Sequence, residues 1–124
     1  MTTLDAPALA SAPLLDASVV ATLRELKLLG RLYPAFMTAL PGQLASLQAA
    51  VAAGDRPTLR LLAHRLRGSS GQLGATALSR AFGALEDAIT EDDGRPWPSG
   101  AELDSLAAAT TAAMLSAVRS TPDR

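Results

Sequence analysis

Apolar residues recur every three or four positions in successive segments of the chain, which is the spacing of an amphipathic helix. The clearest segment covers residues 76–90, and its apolar face consists of Leu78, Phe82, Leu85 and Ile89. The residues that favour strands are scarce beside a large share of Ala and Leu, and aromatics make up only 3% of the chain. An all-α fold is therefore expected, rather than an all-β or a doubly wound α/β fold.

Caps and glycines divide the first half of this pattern into two predicted helices. A short N-terminal helix begins after the N-cap Asp16 and ends at Gly30. A second helix covers residues 32–53, with Pro34 in its first turn, and Pro41 predicts a kink or a break inside it. The predicted core residues of these two helices are Val20, Leu23, Leu26, Phe36, Leu40, Leu44, Leu47 and Val51.

The second half predicts three more helices. Asp55 caps a third helix that ends at Leu73, before Gly74, and a fourth covers residues 76–90. After an acidic, Gly- and Pro-rich loop, a capping box of Ser99 and Glu102 opens a last helix that reaches about residue 119. The short connections favour an antiparallel up-down four-helix bundle with an additional short N-terminal helix. We expect residues 1–15 to be a flexible tail or linker and residues 16–120 to form the domain.

Composition excludes several classes of function. The chain has no Cys and one His, which excludes disulfide frameworks, Cys-ligated zinc and multi-His metal centres, so no metal or cofactor is expected. Its formal net charge of −1 does not indicate a nucleic-acid binder. No apolar run is long enough for insertion into a bilayer, and the N-terminus lacks the pattern of a secretory signal.

The single His64 lies on the polar face of the third predicted helix, opposite its leucines. Arg60 lies one turn before it and Arg67 about one turn after it, and no carboxylate occurs from residue 56 to residue 80. Such a surface favours an anion. An ordinary surface His remains the alternative.

Gly68 and Gly71 lie on the same polar side of this helix, where each costs about 1 kcal/mol relative to Ala. The missing side chains would leave room for a partner to approach. The alternative is close packing of another helix.

These residues belong to a longer motif. It reads Ala63-His64-Arg65-Leu66-Arg67-Gly68-Ser69-Ser70, followed by Leu73-Gly74-Ala75, Leu78 and Leu85-Glu86. The motif resembles the histidine-containing phosphotransfer (Hpt) domain of multistep two-component signalling, whose pattern is Ala-His-x-Leu-Lys-Gly-Ser, then Gly-Ala, a Leu and a Leu-Glu pair. The resemblance covers roughly residues 16–90, and the last helix completes the bundle.

The resemblance implies a role for each matching position. His64 would accept a phosphoryl group from the aspartyl phosphate of one receiver domain and pass it to another. Position 67 is commonly Lys in the family, where it steadies the phosphate, and here it is Arg; Arg60 would add positive charge beside it. Gly68 would leave room for phosphohistidine, with Gly71 on the docking face. Glu86 matches a position that hydrogen-bonds the imidazole, although a solvated surface Glu is the alternative.

The sequence predicts a phosphotransfer protein rather than an autonomous kinase. It shows no carboxylate cluster for Mg²⁺, no phosphate-binding loop and no base paired with the His, so the receiver would supply the metal and catalytic groups. The expected partners are receiver domains and a hybrid sensor histidine kinase. A monomer in the cytoplasm is expected, either free-standing or as the cytoplasmic module of a membrane-bound kinase. The alternative function is a helical protein-docking module in which the His is incidental or regulatory.

Overall fold

The computed structural model describes residues 12–120, which form five helices and no strand. The helices are α1 (Ala17–Glu25), α2 (Leu29–Ala53), α3 (Arg56–Gln72), α4 (Thr76–Glu91) and α5 (Gly100–Ser120). Each of α2 to α5 packs against two others, in a closed ring, and α1 packs against α2. Gln48, near the end of α2, hydrogen-bonds Asp104 near the start of α5 at 3.4 Å, so these two helices run antiparallel. The predicted all-α up-down bundle with a short N-terminal helix is confirmed.

The predicted caps of α3 and α5 are confirmed at atomic detail. The Asp55 carboxylate accepts a hydrogen bond from the Thr58 amide at 3.2 Å. At the start of α5 the Ser99 amide donates to the Glu102 carboxylate at 2.7 Å, and the Glu102 amide donates to Ser99 Oγ at 3.0 Å. These bonds satisfy amides that have no partner inside their own helix.

The predicted end of the first helix at Gly30 is wrong. α1 ends at Glu25, and Lys27 takes the left-handed conformation with φ 61°. The Leu28 amide donates to the Leu23 carbonyl at 2.9 Å, which closes the turn without a glycine. Leu26 is consequently 60% exposed instead of lying in the core.

The second predicted helix differs in its start, its continuity and its last core residue. α2 begins at Leu29, which is 1% exposed, and it runs unbroken through Pro34 and Pro41. Leu40 and Leu44, on either side of Pro41, are buried against the core, and their burial stabilises the helix against the loss of one backbone donor. Val51 is 50% exposed, and Ala50 takes the core position.

Part of the segment predicted as a tail contacts the bundle. Ala12 is buried, and the Pro13 carbonyl accepts a hydrogen bond from the Ala77 amide in the first turn of α4. The Asp16 amide donates to the Gly74 carbonyl at 2.7 Å. The rest of that predicted segment, residues 1–11, lies outside the described residues.

The core anchors the end of α3, the helix that carries His64. Tyr33 of α2 is fully buried, and its hydroxyl donates to the Leu73 carbonyl at 2.9 Å. Leu59, Ala63 and Leu66 are buried on the inner face of α3. The orientation of α3 about its axis is thereby fixed.

In the part of the chain that the structure describes, no helix has the length and apolarity needed to cross a membrane.

Candidate functional site

His64 projects outward from the middle of α3, as the helical wheel predicts. Its side chain is 66% exposed, while Ala63 and Leu66 on either side of it along the chain are 0% and 2% exposed. Burial of these two neighbours turns the imidazole away from the core. The ring is therefore accessible to a partner protein.

Glu86 of α4 orients the imidazole. Nδ1 of His64 lies 2.8 Å from Oε2 of Glu86, whose side chain is only 12% exposed. The family resemblance implied this hydrogen bond to the imidazole, and it is present. The expectation that no base pairs with the His is wrong, because the carboxylate comes from the neighbouring helix and not from α3. The structure also excludes the alternative of a solvated surface Glu.

The same contact assigns the roles of the two ring nitrogens. An ionised carboxylate has no proton to donate and only accepts hydrogen bonds, so the proton between Glu86 and His64 is assigned to Nδ1. In a neutral imidazole the lone pair then lies on Nε2. His64 thus presents an available nucleophilic nitrogen on an exposed surface.

Arg67 is paired with acids of α4. Its Nη1 lies 3.2 Å from Oε1 of Glu86 and 3.7 Å from Oδ1 of Asp87. The two Glu86 oxygens therefore hold different partners, one His64 and the other Arg67. Because Glu86 and Asp87 compensate its charge, Arg67 adds less free positive potential than the sequence of α3 alone suggests.

Arg60 is exposed, one turn before His64 on α3. Among residues 12–120 it has no hydrogen bond or ion pair that holds its side chain against a neighbouring helix. The structure thus joins His64, Arg67 and Glu86 in one connected group and leaves Arg60 beside it.

The two polar-face glycines differ. A Cβ atom built on Gly68 would meet nothing within 4 Å, so this position leaves open space one turn from His64. A Cβ on Gly71 would lie 3.2 Å from Oγ of Ser79 in α4. Although Gly71 is exposed, its missing side chain is explained by close packing of α3 on α4.

Sequence reasoning missed Gly83, a buried glycine in α4. A Cβ there would lie 3.1 Å from Nε of Arg67 and 3.4 Å from its Cδ and Cζ. The available signal was a glycine inside an otherwise regular amphipathic helix, one turn before Glu86.

The connected group does not have the composition of a metal centre. His64 and Glu86 are potential ligands, but in the described range, 12–120, no group of three or more His, Asp or Glu side chains could hold a metal ion. What the arrangement provides is a nucleophilic nitrogen, a carboxylate that fixes its tautomer, and a guanidinium that holds the carboxylate.

The carboxyl of Glu86 has a pKa below its ordinary value of 4.5. Burial alone would raise this pKa, but the hydrogen bonds from His64 and then Arg67, together with their positive charge, lower it by more. A folded-state pKa below the unfolded one means that the ionised carboxylate stabilises the fold above the ordinary value. That contribution is lost as the pH falls through the folded-state pKa.

In Glu86→Gln the free energy of unfolding is therefore expected to depend less on pH in the acid range than in the wild type. Above pH 4.5 the variant should unfold at lower urea concentration than the wild type, and below it the two midpoints should converge. Urea titrations at a series of pH values measure the difference, and Glu91→Gln serves as a control at an exposed carboxylate of the same helix. Parallel profiles for wild type and Glu86→Gln would contradict the assigned contacts.

The comparisons with known proteins fit this geometry. The model of the Hpt domain family matches residues 31–121, nearly three-quarters of the chain. The chain belongs to the Hpt domain family. Among solved structures, this Hpt domain is similar to histidine-containing phosphotransfer protein B (HptB) from Pseudomonas aeruginosa PAO1, with a TM-score of 0.79 and 28% sequence identity. That similarity covers 88% of this chain and 97% of the other. No curated protein matches the chain.

Family membership confirms the resemblance drawn from the motif around His64. It assigns this Hpt domain to histidine phosphotransfer in phosphorelays.

Proposed function

We propose that this Hpt domain accepts a phosphoryl group on Nε2 of His64 from the aspartyl phosphate of one receiver domain and transfers it to a second receiver. The observation that carries the proposal is the 2.8 Å contact between Nδ1 of His64 and Oε2 of Glu86 on an otherwise exposed ring. The carboxylate keeps the proton on Nδ1, and Nε2 keeps its lone pair for attack on phosphorus.

In the accepting step, the Nε2 lone pair forms a bond to phosphorus as the bond from phosphorus to the receiver's aspartyl oxygen breaks. The aspartate leaves as a carboxylate, and no proton has to move. The ring keeps its Nδ1 proton and becomes cationic, and the Glu86 carboxylate at 2.8 Å stabilises that charge.

The donating step reverses this chemistry on a second receiver. Its aspartate attacks phosphorus, and the bond from phosphorus to Nε2 breaks. Because Nδ1 is protonated, the ring leaves as neutral imidazole rather than as an anion. The contact with Glu86 thus serves both directions of transfer.

The receiver supplies the metal ion, because no group of His, Asp or Glu side chains among residues 12–120 could hold one. Stabilisation of the transferred phosphoryl requires cationic charge, usually a metal ion, at its equatorial oxygens. The Hpt domain contributes an in-line nucleophile, and it is not an autonomous kinase. Gly68 supports this docking geometry, because the open space above it leaves room for the receiver beside the phosphorylated ring.

Two arginines contribute in different ways. Arg67 is held by Glu86, so its first effect is on the orientation of that carboxylate, and its remaining N–H groups are available to phosphate oxygens. Arg60 provides positive charge one turn away on the exposed face, which attracts an acidic partner. Gly71 lies further along the same face of α3.

The test is a phosphotransfer profile. The purified chain is mixed with each receiver domain of the source organism, phosphorylated beforehand, and label on the chain is followed with time. At least one receiver should transfer an acid-labile, alkali-stable phosphate to the chain, and a second should remove it. Absence of label with every receiver would overturn the proposal.

A second candidate function uses the same surface. Leu61, one turn before His64, is 45% exposed, and an exposed leucine beside an exposed His suits a docking module that acts by occupancy. This candidate predicts that His64→Ala binds the partner and supports signalling as well as the wild type does.

Under either function we propose a cytoplasmic monomer, with a hybrid sensor kinase among its partners.

A further inference from the structure

Gly83 lies directly under the side chain of Arg67. The glycine is buried in the middle of α4, and the three atoms that a Cβ would meet first all belong to Arg67. The arginine therefore crosses the backbone of α4 at a place where no side chain rises from it. From there its Nη1 reaches Oε1 of Glu86, one turn further along α4.

These contacts connect Gly83 to the reacting nitrogen in three steps. Gly83 lets the Arg67 guanidinium lie close to α4, Arg67 binds one oxygen of Glu86, and the other oxygen of Glu86 binds Nδ1 of His64. The bond from Arg67 to Glu86 is already 3.2 Å long. A displacement of the guanidinium by a few tenths of an ångström would weaken it.

The geometry points to Gly83 as a positioning residue for phosphotransfer, which fixes the tautomer of His64 through Arg67 and Glu86. This inference rests on the proposed function of His64. It also gives a reason for Arg at position 67. A guanidinium is a rigid plane of N–H groups, and it can lie flat against the backbone of α4 where Gly83 has no side chain.

Packing of the hydrophobic core does not explain the glycine. The atoms nearest to a Cβ on Gly83 belong to the flexible side chain of Arg67, and neither backbone nor core side chains come as close. Arg67 is 49% exposed and can move outward. Gly83→Ala should therefore fold, and the gain in helix propensity favours the variant.

The first test reads the tautomer of His64 and involves no phosphate. Nitrogen NMR distinguishes a protonated from an unprotonated ring nitrogen, and His64 is the only histidine of the chain. At a pH where the ring is neutral, the wild type should have its proton mainly on Nδ1, and Gly83→Ala should shift the population toward the Nε2 tautomer. An unchanged tautomer population in Gly83→Ala would overturn the inference.

The second test is a double-mutant cycle on transfer from a phosphorylated receiver to His64. Gly83→Ala should slow transfer about three- to tenfold, and Arg67→Ala should slow it at least as much. If Gly83 acts through Arg67, Gly83→Ala should have no further effect in the Arg67→Ala background. Additive effects, or a wild-type rate for Gly83→Ala, would overturn the inference.

Gly42→Ala is the matched control. Gly42 lies inside α2, and a Cβ there would meet nothing within 4 Å, so the substitution changes helix propensity alone. It should leave both the tautomer and the transfer rate at the wild-type value. Failure of the wild type to accept phosphate would overturn the proposed function, whereas the tautomer measurement would still decide the role of Gly83.

Discussion

Replacement of His64 by Gln is expected to abolish phosphoryl acceptance and to leave the fold intact. The Gln amide has no nucleophilic nitrogen, although its NH₂ group can still donate to Glu86. Because the wild-type side chain is 66% exposed, the free energy of unfolding should change by no more than about 0.5 kcal/mol. Label from a phosphorylated receiver, together with circular dichroism and urea unfolding, measures both effects.

The position of the imidazole should matter as much as its presence. The double variant His64→Gln/Ala49→His returns one His to the chain, at an exposed position of α2. It should remain unlabelled. The His64→Gln variant should also still bind the receiver in a pull-down, since its docking surface is unchanged. Equal labelling of wild type and His64→Gln would refute a transfer function for this residue.

Much of the fold follows from local sequence. The apolar stripes of α3 and α4, the Asp55 cap and the Ser99–Glu102 capping box depend on residues at most one or two turns apart, so their spacing is visible in the chain. The exposure of His64 follows in the same way, from the burial of the opposite face of its helix. Local sequence therefore predicts the part of the site that lies on a single helix, which is the exposed His64 on α3.

The errors arose where tertiary contacts overrule local signals. Gly30 is a good helix stop in isolation, but burial of Leu29 places it inside α2, and Lys27 takes the left-handed turn instead. Pro41 predicts a break, yet the buried leucines around it keep α2 continuous. The contact of Glu86 with His64 is expected from the family resemblance but from no single-helix pattern, because it joins two helices. The contact of Arg67 with Gly83 joins the same two helices, and no single-helix pattern predicts it.

The largest loss of stability is expected for Gly74→Ala, in the turn between α3 and α4. Gly74 has φ +77°, a conformation that costs an L-residue about 1–2 kcal/mol. A Cβ there would also lie 2.8 Å from Cβ of Val19 on α1, and overpacking of this kind costs about 1–3 kcal/mol. We expect the free energy of unfolding to fall by about 2–5 kcal/mol, measured by urea denaturation.

Two further variants separate the cost of the left-handed backbone conformation from the cost of the contact with Val19. Gly54 has φ +67°, and a Cβ there would meet nothing within 4 Å, so Gly54→Ala should show the conformational cost alone. In the Val19→Ala background, Cγ1 and Cγ2 of residue 19 are absent but its Cβ remains. Gly74→Ala should therefore lower the free energy of unfolding less in that background than in the wild type, while part of the contact cost persists. If Gly74→Ala costs no more than Gly54→Ala, α1 accommodates the added Cβ without a measurable cost, and the expected overpacking against Val19 is wrong.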